Sequence, residues 1–393
     1  MPTTLVAAAC LLLWVLPAAA VTYTVNPEGT GDFPSIYHAI NGAENGDVIE
    51  LVPGTYTGGG NRDITFLGKT VTVRSQTGNP ADCIIDCQGS SGEPHRGFTI
   101  ESGQGPNAVI EGLTIINGYG PGTPYSKAGA LFIQNSSSPT IRNCVFENNH
   151  VTMAWNHIGG AVYVDSYCDG LFENCVFRDN SGYFGGAVAV NHSSRCEFYD
   201  CSFYDNTGGR GGGVWGNCTA KIRCVFAGNT AIQGGAVWGN GYNVDLSENC
   251  TYWNNSASEA GGAIYAQPGY GDPVRLIDTI VAGCTAGAGL AVFGEVPVEI
   301  SCSDLYGNEG GDWIAPYAEQ VDVAGNFSAD PCFCDPDGED FHLCADSWCL
   351  PGHHPWGCDQ LTGTFGQGCG ECSCAGEVAL EATSWGGLKS LYR

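Results

Sequence analysis

Positive charge is what this sequence has least of. Fourteen Lys and Arg stand against 41 Asp and Glu in 393 residues, a formal net charge of −27. A surface of that sign repels phosphate backbones and anionic headgroups, which excludes nucleic acid as a partner. It also disfavours a polyanionic polysaccharide unless Ca²⁺ bridges the two. Charged residues make up only 14% of the chain while Gly reaches 59, so a helical protein is excluded as well. Beyond residue 20 no apolar run is long enough for a membrane-spanning helix.

What is present is repetition. A small-residue triplet followed by aliphatics recurs at Ala128, Gly159, Gly185, Gly211, Gly234, Gly261 and, degraded, Ala288, at steps of 31, 26, 26, 23, 27 and 27 residues. Between the triplets a second unit runs from Cys to Asn: Cys144 to Asn149, Cys175 to Asn180, Cys201 to Asn206, Cys224 to Asn229 and Cys250 to Asn255, with Cys302 to Asn308 as a weaker echo. A period in the twenties, made of short β-branched runs broken by Gly and Asn, predicts an all-β parallel solenoid with one coil per repeat. Less regular strands from Asp47 to Ile116 add roughly three coils. About ten coils at ~4.8 Å each give a rod roughly 50 Å long.

Stacked coils turn each repeat position into a column. Leu131, Val162, Val188, Val214, Val237 and Ile264 form an aliphatic column and are expected inside. Strand alternation then sends Phe132, Tyr163, Ala189, Trp215, Trp238 and Tyr265 outward. Five of these six are aromatic, and such a stripe either stacks on a saccharide chain or stacks on itself. The longest insertion, His150–Ile158, brings Trp155 and His157 near one end of the stripe, as a binding loop or as a solvated one. The Asn column reads as structural, serving αL bends and amide ladders. The Cys column reads as free thiols packed in the interior.

Gly31-Asp32-Phe33-Pro34-Ser35-Ile36, Gly46-Asp47-Val48-Ile49 and Val52-Pro53-Gly54-Thr55-Tyr56 resemble the opening of pectin-lyase-like right-handed parallel β-helices. The alternation of Gly-Gly-Ala-Val with Phe-x-x-Asn resembles the repeats of chlamydial polymorphic outer-membrane proteins. These resemblances cover about residues 22–310 and imply a right-handed parallel β-helix with an N-terminal cap helix. For function they imply little, because the motifs are structural. The similarity to polygalacturonases that would imply hydrolysis is missing: the chain has no Asp-Asp and no Gly-His-Gly, and Lys221-Ile222-Arg223 runs in the reverse order. No catalytic residue, cofactor or metal is therefore expected. The expected function is non-catalytic, adhesive or glycan-binding through Phe132, Tyr163, Trp215, Trp238, Tyr265 and Trp155, with a polysaccharide or cell-surface glycan as partner. A polysaccharide lyase or hydrolase and a passive surface rod are the alternatives.

The ends divide off by composition. Residues 1–20, with an apolar core Leu5–Leu16 before Ala18-Ala19-Ala20, read as a signal peptide, which makes the chain secreted or cell-surface. Residues 21–45 read as the cap, with Asp32 capping a helix that buries Ile36, Ala39 and Ile40. The β-helix is expected over 46–325, a Cys-rich region over 326–376 and a tail over 377–393 that is consistent with a sorting peptide. In an exported chain Cys332, Cys334, Cys344, Cys349, Cys358, Cys369, Cys372 and Cys374 read as disulfide partners, with Cys168, Cys196 and Cys218 as further candidates. Zinc ligation at Cys369, Cys372 and Cys374 with His342, His353 and His354, and Ca²⁺ at Asp335–Asp340, are the competing readings.

Overall fold

The computed structural model describes residues 19–372 apart from 123–124, 192, 240–244, 268–272, 293–295 and 355–356. Residues 1–18 of the expected signal peptide 1–20, Cys374 and the tail 377–393 lie outside the described residues. Three parallel sheets run the length of one solenoid. The first has 11 strands, from Thr22–Val25 to Val298–Ser301; the second has 10, from Gly54–Tyr56 to Asp304–Tyr306; the third has 9, from Ile64–Thr65 to Leu290–Val292. A fourth, short sheet inserts between the second and third in the middle coils: Ser181–Phe184, Thr207–Arg210, Thr230–Gln233 and Ser256–Ala260. The chain is an all-β right-handed parallel β-helix of about ten coils.

The expected register holds. Leu131, Val162, Val188, Val214, Val237 and Ile264 pair in a single in-register column, and all are buried. A second interior column stacks Phe146, Phe177, Phe203, Phe226 and Tyr252 face to face at 5.0, 4.7, 4.5 and 4.8 Å. Apolar burial at roughly 25 cal/mol per Å² is the main stabilising term along both columns.

The Asn column is interior but does not make the bend. The left-handed residue sits one position earlier, at Asn148, Asp179, Asp205, Gly228 and Asn254. That bend turns the following side chain into the stack. Asn180 Nδ2 donates to Asn206 Oδ1 at 3.0 Å and to Phe146 O at 2.9 Å, and Asn206 and Asn229 repeat the pattern on the next coils. Each Oδ1 also accepts the backbone N–H of the Asn below it. Every polar atom of the amide is thereby used, as a buried amide requires.

The double glycines have separate jobs. Gly185, Gly211, Gly234 and Gly261 hold φ of 72°, 67°, 66° and 69°, where a Cβ is strained. The second glycine packs against the next coil. A Cβ on Gly186, Gly212 or Gly235 would overlap the carbonyl oxygen of the corresponding glycine one coil on.

Both ends are closed. The helix Ile36–Gly42 buries Ile36, Ala39 and Ile40 over the first coil, but its N-cap is Ser35, not Asp32. Asp32 instead accepts the backbone N–H of Thr24 at 2.7 Å, which ties the loop to the first strand. At the far end Trp313, Ile314 and Tyr317 pack onto the core, and the Tyr317 hydroxyl donates to Leu290 O.

One residue breaks the interior pattern. Lys221 occupies the inward column between Phe198 and Ser247 and is fully buried. A one-residue bulge between Cys196 and Glu197 in the pairing with the next strand sets that register, and it coincides with the shortest, 23-residue repeat step.

Gly212→Ala is expected to destabilise by several kcal/mol, since backbone rather than a flexible side chain must move. Gly59, with open space around it, is the control, and Gly59→Ala should change the denaturation midpoint little. Equal midpoints for the two variants would contradict the close-packed corner.

Candidate functional site

The outward aromatic column exists in register: Phe132, Tyr163, Ala189, Trp215, Trp238 and Tyr265 are successive partners. It is not an open face, however. Phe132 is 7% exposed, Tyr163 3% and Trp238 4%. Two things cover it. The rings stack on one another, Phe132 on Tyr163 at 5.5 Å, Trp215 on Trp238 at 5.8 Å and Trp238 on Tyr265 at 6.2 Å. Long side chains from neighbouring corners then lie across them. Arg96 and Lys127 sit over Phe132, Lys127 also over Tyr163, and Arg210 over Trp238. Only Trp215 and Tyr265 remain partly exposed. Alternation along the strand predicts direction but not cover, and the cover comes from sequence-distant corners.

An accessible ring lies one step to the side, over the fourth sheet, where Tyr183 is half-buried and Phe184 is buried beneath it. Trp155, from the insertion, is 56% exposed. It meets Tyr183 at 5.5 Å and Phe184 at 5.2 Å, both edge-on, and Phe184 meets Trp215 at 4.9 Å. The Arg210 guanidinium sits 5.4 Å from the Trp155 ring centre and 5.3 Å from that of Trp238. Several described cations pair with a carboxylate one rung away, as in Arg74–Glu50, Arg142–Glu111, Arg223–Asp200 and Arg275–Glu299. Arg210 has no carboxylate partner among the described residues, and its positive charge rests on rings alone. The indole N–H groups of Trp215 and Trp238 are buried without a hydrogen-bond partner. The sequence pointed to Trp155; Tyr183, Phe184 and Arg210 were missed, because the fourth sheet that presents them has no separate periodic signal.

A second concavity, on the outer side of the second sheet, is lined by Ile84, Thr114, Ile116, Asn117, Glu147, Asn148 and Asp179. Beside it His150 Nδ1 lies 2.8 Å from Ser181 Oγ, and Nε2 2.8 Å from Asn148 Oδ1. Burial lowers the pKa of this imidazole, and Asp179 partly opposes the shift. The same column continues with Thr207, Thr230 and Ser256, and Thr207 and Thr230 are themselves bonded hydroxyl to hydroxyl at 3.2 Å. The His–Ser contact is therefore one rung of a polar ladder.

After a last parallel bridge from Phe327 to Asp304, the chain up to residue 372 leaves the solenoid and folds back along its second sheet. Phe333 packs edge-on against Trp253. Both guanidinium nitrogens of Arg178 reach the Glu339 carboxylate, at 2.9 and 2.7 Å. Thr364 bonds Thr251 Oγ1 and Cys224 O. Three of the four acidic groups in the expected Ca²⁺ loop are engaged by protein groups: Asp335 caps Gly338 N, Glu339 holds Arg178 and Asp340 holds His342.

The cysteines separate by position. Cys334–Cys369 and Cys344–Cys372 are disulfides, and Cys332 is disulfide-bonded. Cys302 bridges to Cys358, contrary to its assignment to the interior column. Ser303 holds the column place beside Thr279, and Cys302 takes the left-handed corner one residue earlier, from which it faces the returning segment. Cys168, Cys196 and Cys218, expected in disulfides, are not disulfide-bonded and are buried, as is Cys349. Cys196 and Cys218 are in-register neighbours on parallel strands, whose Cβ vectors run side by side. Cys144, Cys175, Cys201, Cys224 and Cys250 are free and buried, as their column implied.

Fold and surface define a parallel β-helix repeat protein whose middle coils carry one exposed indole, Trp155, against half-buried Tyr183 and Arg210. The family model described as right handed beta helix region matches residues 64–250. No curated protein matches the chain. Among the described residues no helix is long and apolar enough to cross a membrane, and the cysteine pairs are compatible with an extracytoplasmic setting.

Cys349 abuts a buried carboxylate. Asp304 accepts the backbone N–H of Ala329 at 3.0 Å and lies 3.7 Å from Cys349 Sγ. Burial pushes its carboxyl well above the ordinary value of 3.8. A raised acid stabilises the fold fully below its unfolded pKa, and that contribution is lost as pH rises through the folded value. Asp304→Asn should therefore flatten the stability profile above pH ~4 and raise the denaturation midpoint at neutral pH. Parallel pH profiles for variant and parent would contradict a protonated Asp304.

Proposed function

We propose that this chain is a secreted or cell-surface, non-catalytic β-helix that binds polysaccharide or cell-surface glycan. The observation that carries the reading is Trp155, 56% exposed beside Tyr183 and Arg210, on a chain otherwise crowded with acid. Aromatic faces stack on the C–H faces of sugar rings with little regard to sugar identity, which suits an adhesive role. Trp215 and Tyr265 supply flanking partly exposed rings, while Phe132, Tyr163 and Trp238 act as their support. The likeness of the repeats to chlamydial polymorphic outer-membrane proteins and the signal-like residues 1–20 favour the cell surface.

Glycan-array binding by the mature chain, followed by Trp155→Ala, tests this. The variant is expected to lose about tenfold in affinity, roughly 1.4 kcal/mol, with an unchanged melting temperature, because the ring is mostly in solvent. No binding to any glycan, or equal binding by parent and variant, would favour a passive rod. Product release from a polysaccharide would favour an enzyme.

A further inference from the structure

The returning segment brings four cysteines from three stretches of chain to one place. Cys334 lies on the strand Phe333–Asp335, Cys344 directly follows the strand Asp340–Leu343, and Cys369 and Cys372 form a Cys-x-x-Cys on the last described stretch. Besides their own disulfide contacts, Cys369 Sγ is 3.5 Å from Cys344 Sγ and 3.8 Å from Cys372 Sγ. The sulfurs of Cys334, Cys344 and Cys369 all lie within 4.8 Å of one another. Four thiolates around a tetrahedral zinc at ~2.3 Å are about 3.8 Å apart. Two of the gaps between the disulfides, 3.5 and 3.8 Å, match that spacing, and Cys334 lies within 4.8 Å of Cys344 and Cys369.

The cradle does not depend on the disulfides alone. Leu343 N donates to Gly366 O at 2.9 Å, Ala345 N to Gly370 O at 3.0 Å, Gly368 N to Leu343 O at 3.1 Å and Cys344 N to Cys332 O at 2.8 Å. These backbone bonds join the same stretches independently of the sulfurs. Cys334, Cys369 and Cys372 are only half-buried, so reductant and ion reach them. The interior column Cys144–Cys250 is sealed and offers no such access.

We propose that Cys334, Cys344, Cys369 and Cys372 form a Zn²⁺ site in the reduced protein, interchangeable with the two disulfides of the oxidised one. Each disulfide takes two electrons and two protons from a dithiol reductant, which becomes a disulfide. The four thiols then release four protons as they bind the cation. A small disulfide oxidant, reduced to its dithiol, reverses the exchange and expels the metal. The segment stays folded against the second sheet in both states, held by Arg178–Glu339, Phe333 on Trp253 and the Thr364 hydrogen bonds.

The test uses the full chain, reduced with a phosphine under inert gas and loaded with zinc. One zinc per chain is expected after gel filtration, and none for Cys369→Ser/Cys372→Ser. Cys302→Ser/Cys358→Ser should keep its zinc. Loading the parent chain with Co²⁺ gives a readout that needs no variant: visible d–d bands of a tetrahedral site with sulfur-to-cobalt charge transfer. Zinc well below one per chain, retention by the 369/372 variant, or an octahedral cobalt spectrum would each overturn the site.

Discussion

Everything in this molecule follows from one constraint: each coil must lie on the last without slipping by a residue. Apolar contacts alone do not enforce that, because Val on Val is nearly as favourable beside its neighbour as above it. The buried Asn ladder does. An amide that donates to the amide one coil on and to a backbone carbonyl, while accepting a backbone N–H, has one register in which all its bonds are made. Slippage would strand those groups in an apolar interior at about 1–3 kcal/mol each. Where the ladder lapses at Cys284, its backbone N–H is taken up by Asn308 Oδ1 at 3.1 Å, and the order resumes.

That register also decides where function is possible. Stacking like on like gives the outward column long runs of aromatic rings, but rings one coil apart cover each other, and the cations at the corners cover what is left. A regular stripe on a β-helix is thereby consumed as structure. Departures from the repeat, the 150–158 insertion and the fourth sheet, create accessible chemistry. The exposed Trp155 ring beside Arg210 is built from these, and the four-cysteine cluster lies on a segment that has left the repeat altogether.

The repeat was legible in the sequence for the same reason that it is rigid. Periodic selection of Val, Phe, Gly-Gly and Asn is a direct image of the columns, so the inside–outside assignment of Val214 against Trp215 could be read off spacing. Three kinds of feature could not. The Asn bend was displaced by one residue because Asn and Asp at the corner share composition with the buried Asn beside them. Lys221 sits inside because of a local bulge, to which a period of coils is blind. The pairing of Cys302 with Cys358, and the ion pair of Arg178 with Glu339 across 161 residues, depend on how the last segment doubles back, which no local pattern encodes.

The central claim is the buried amide ladder, and its side-chain protons report on it directly. In protein labelled with ¹⁵N at Asn, the Nδ2 protons of Asn180, Asn206 and Asn229 are sealed and bonded, so their exchange with D₂O should require global opening and persist for hours or longer. Exchange within seconds, as for Asn on the surface, would mean that the amides are not interior and that the register rests on something else.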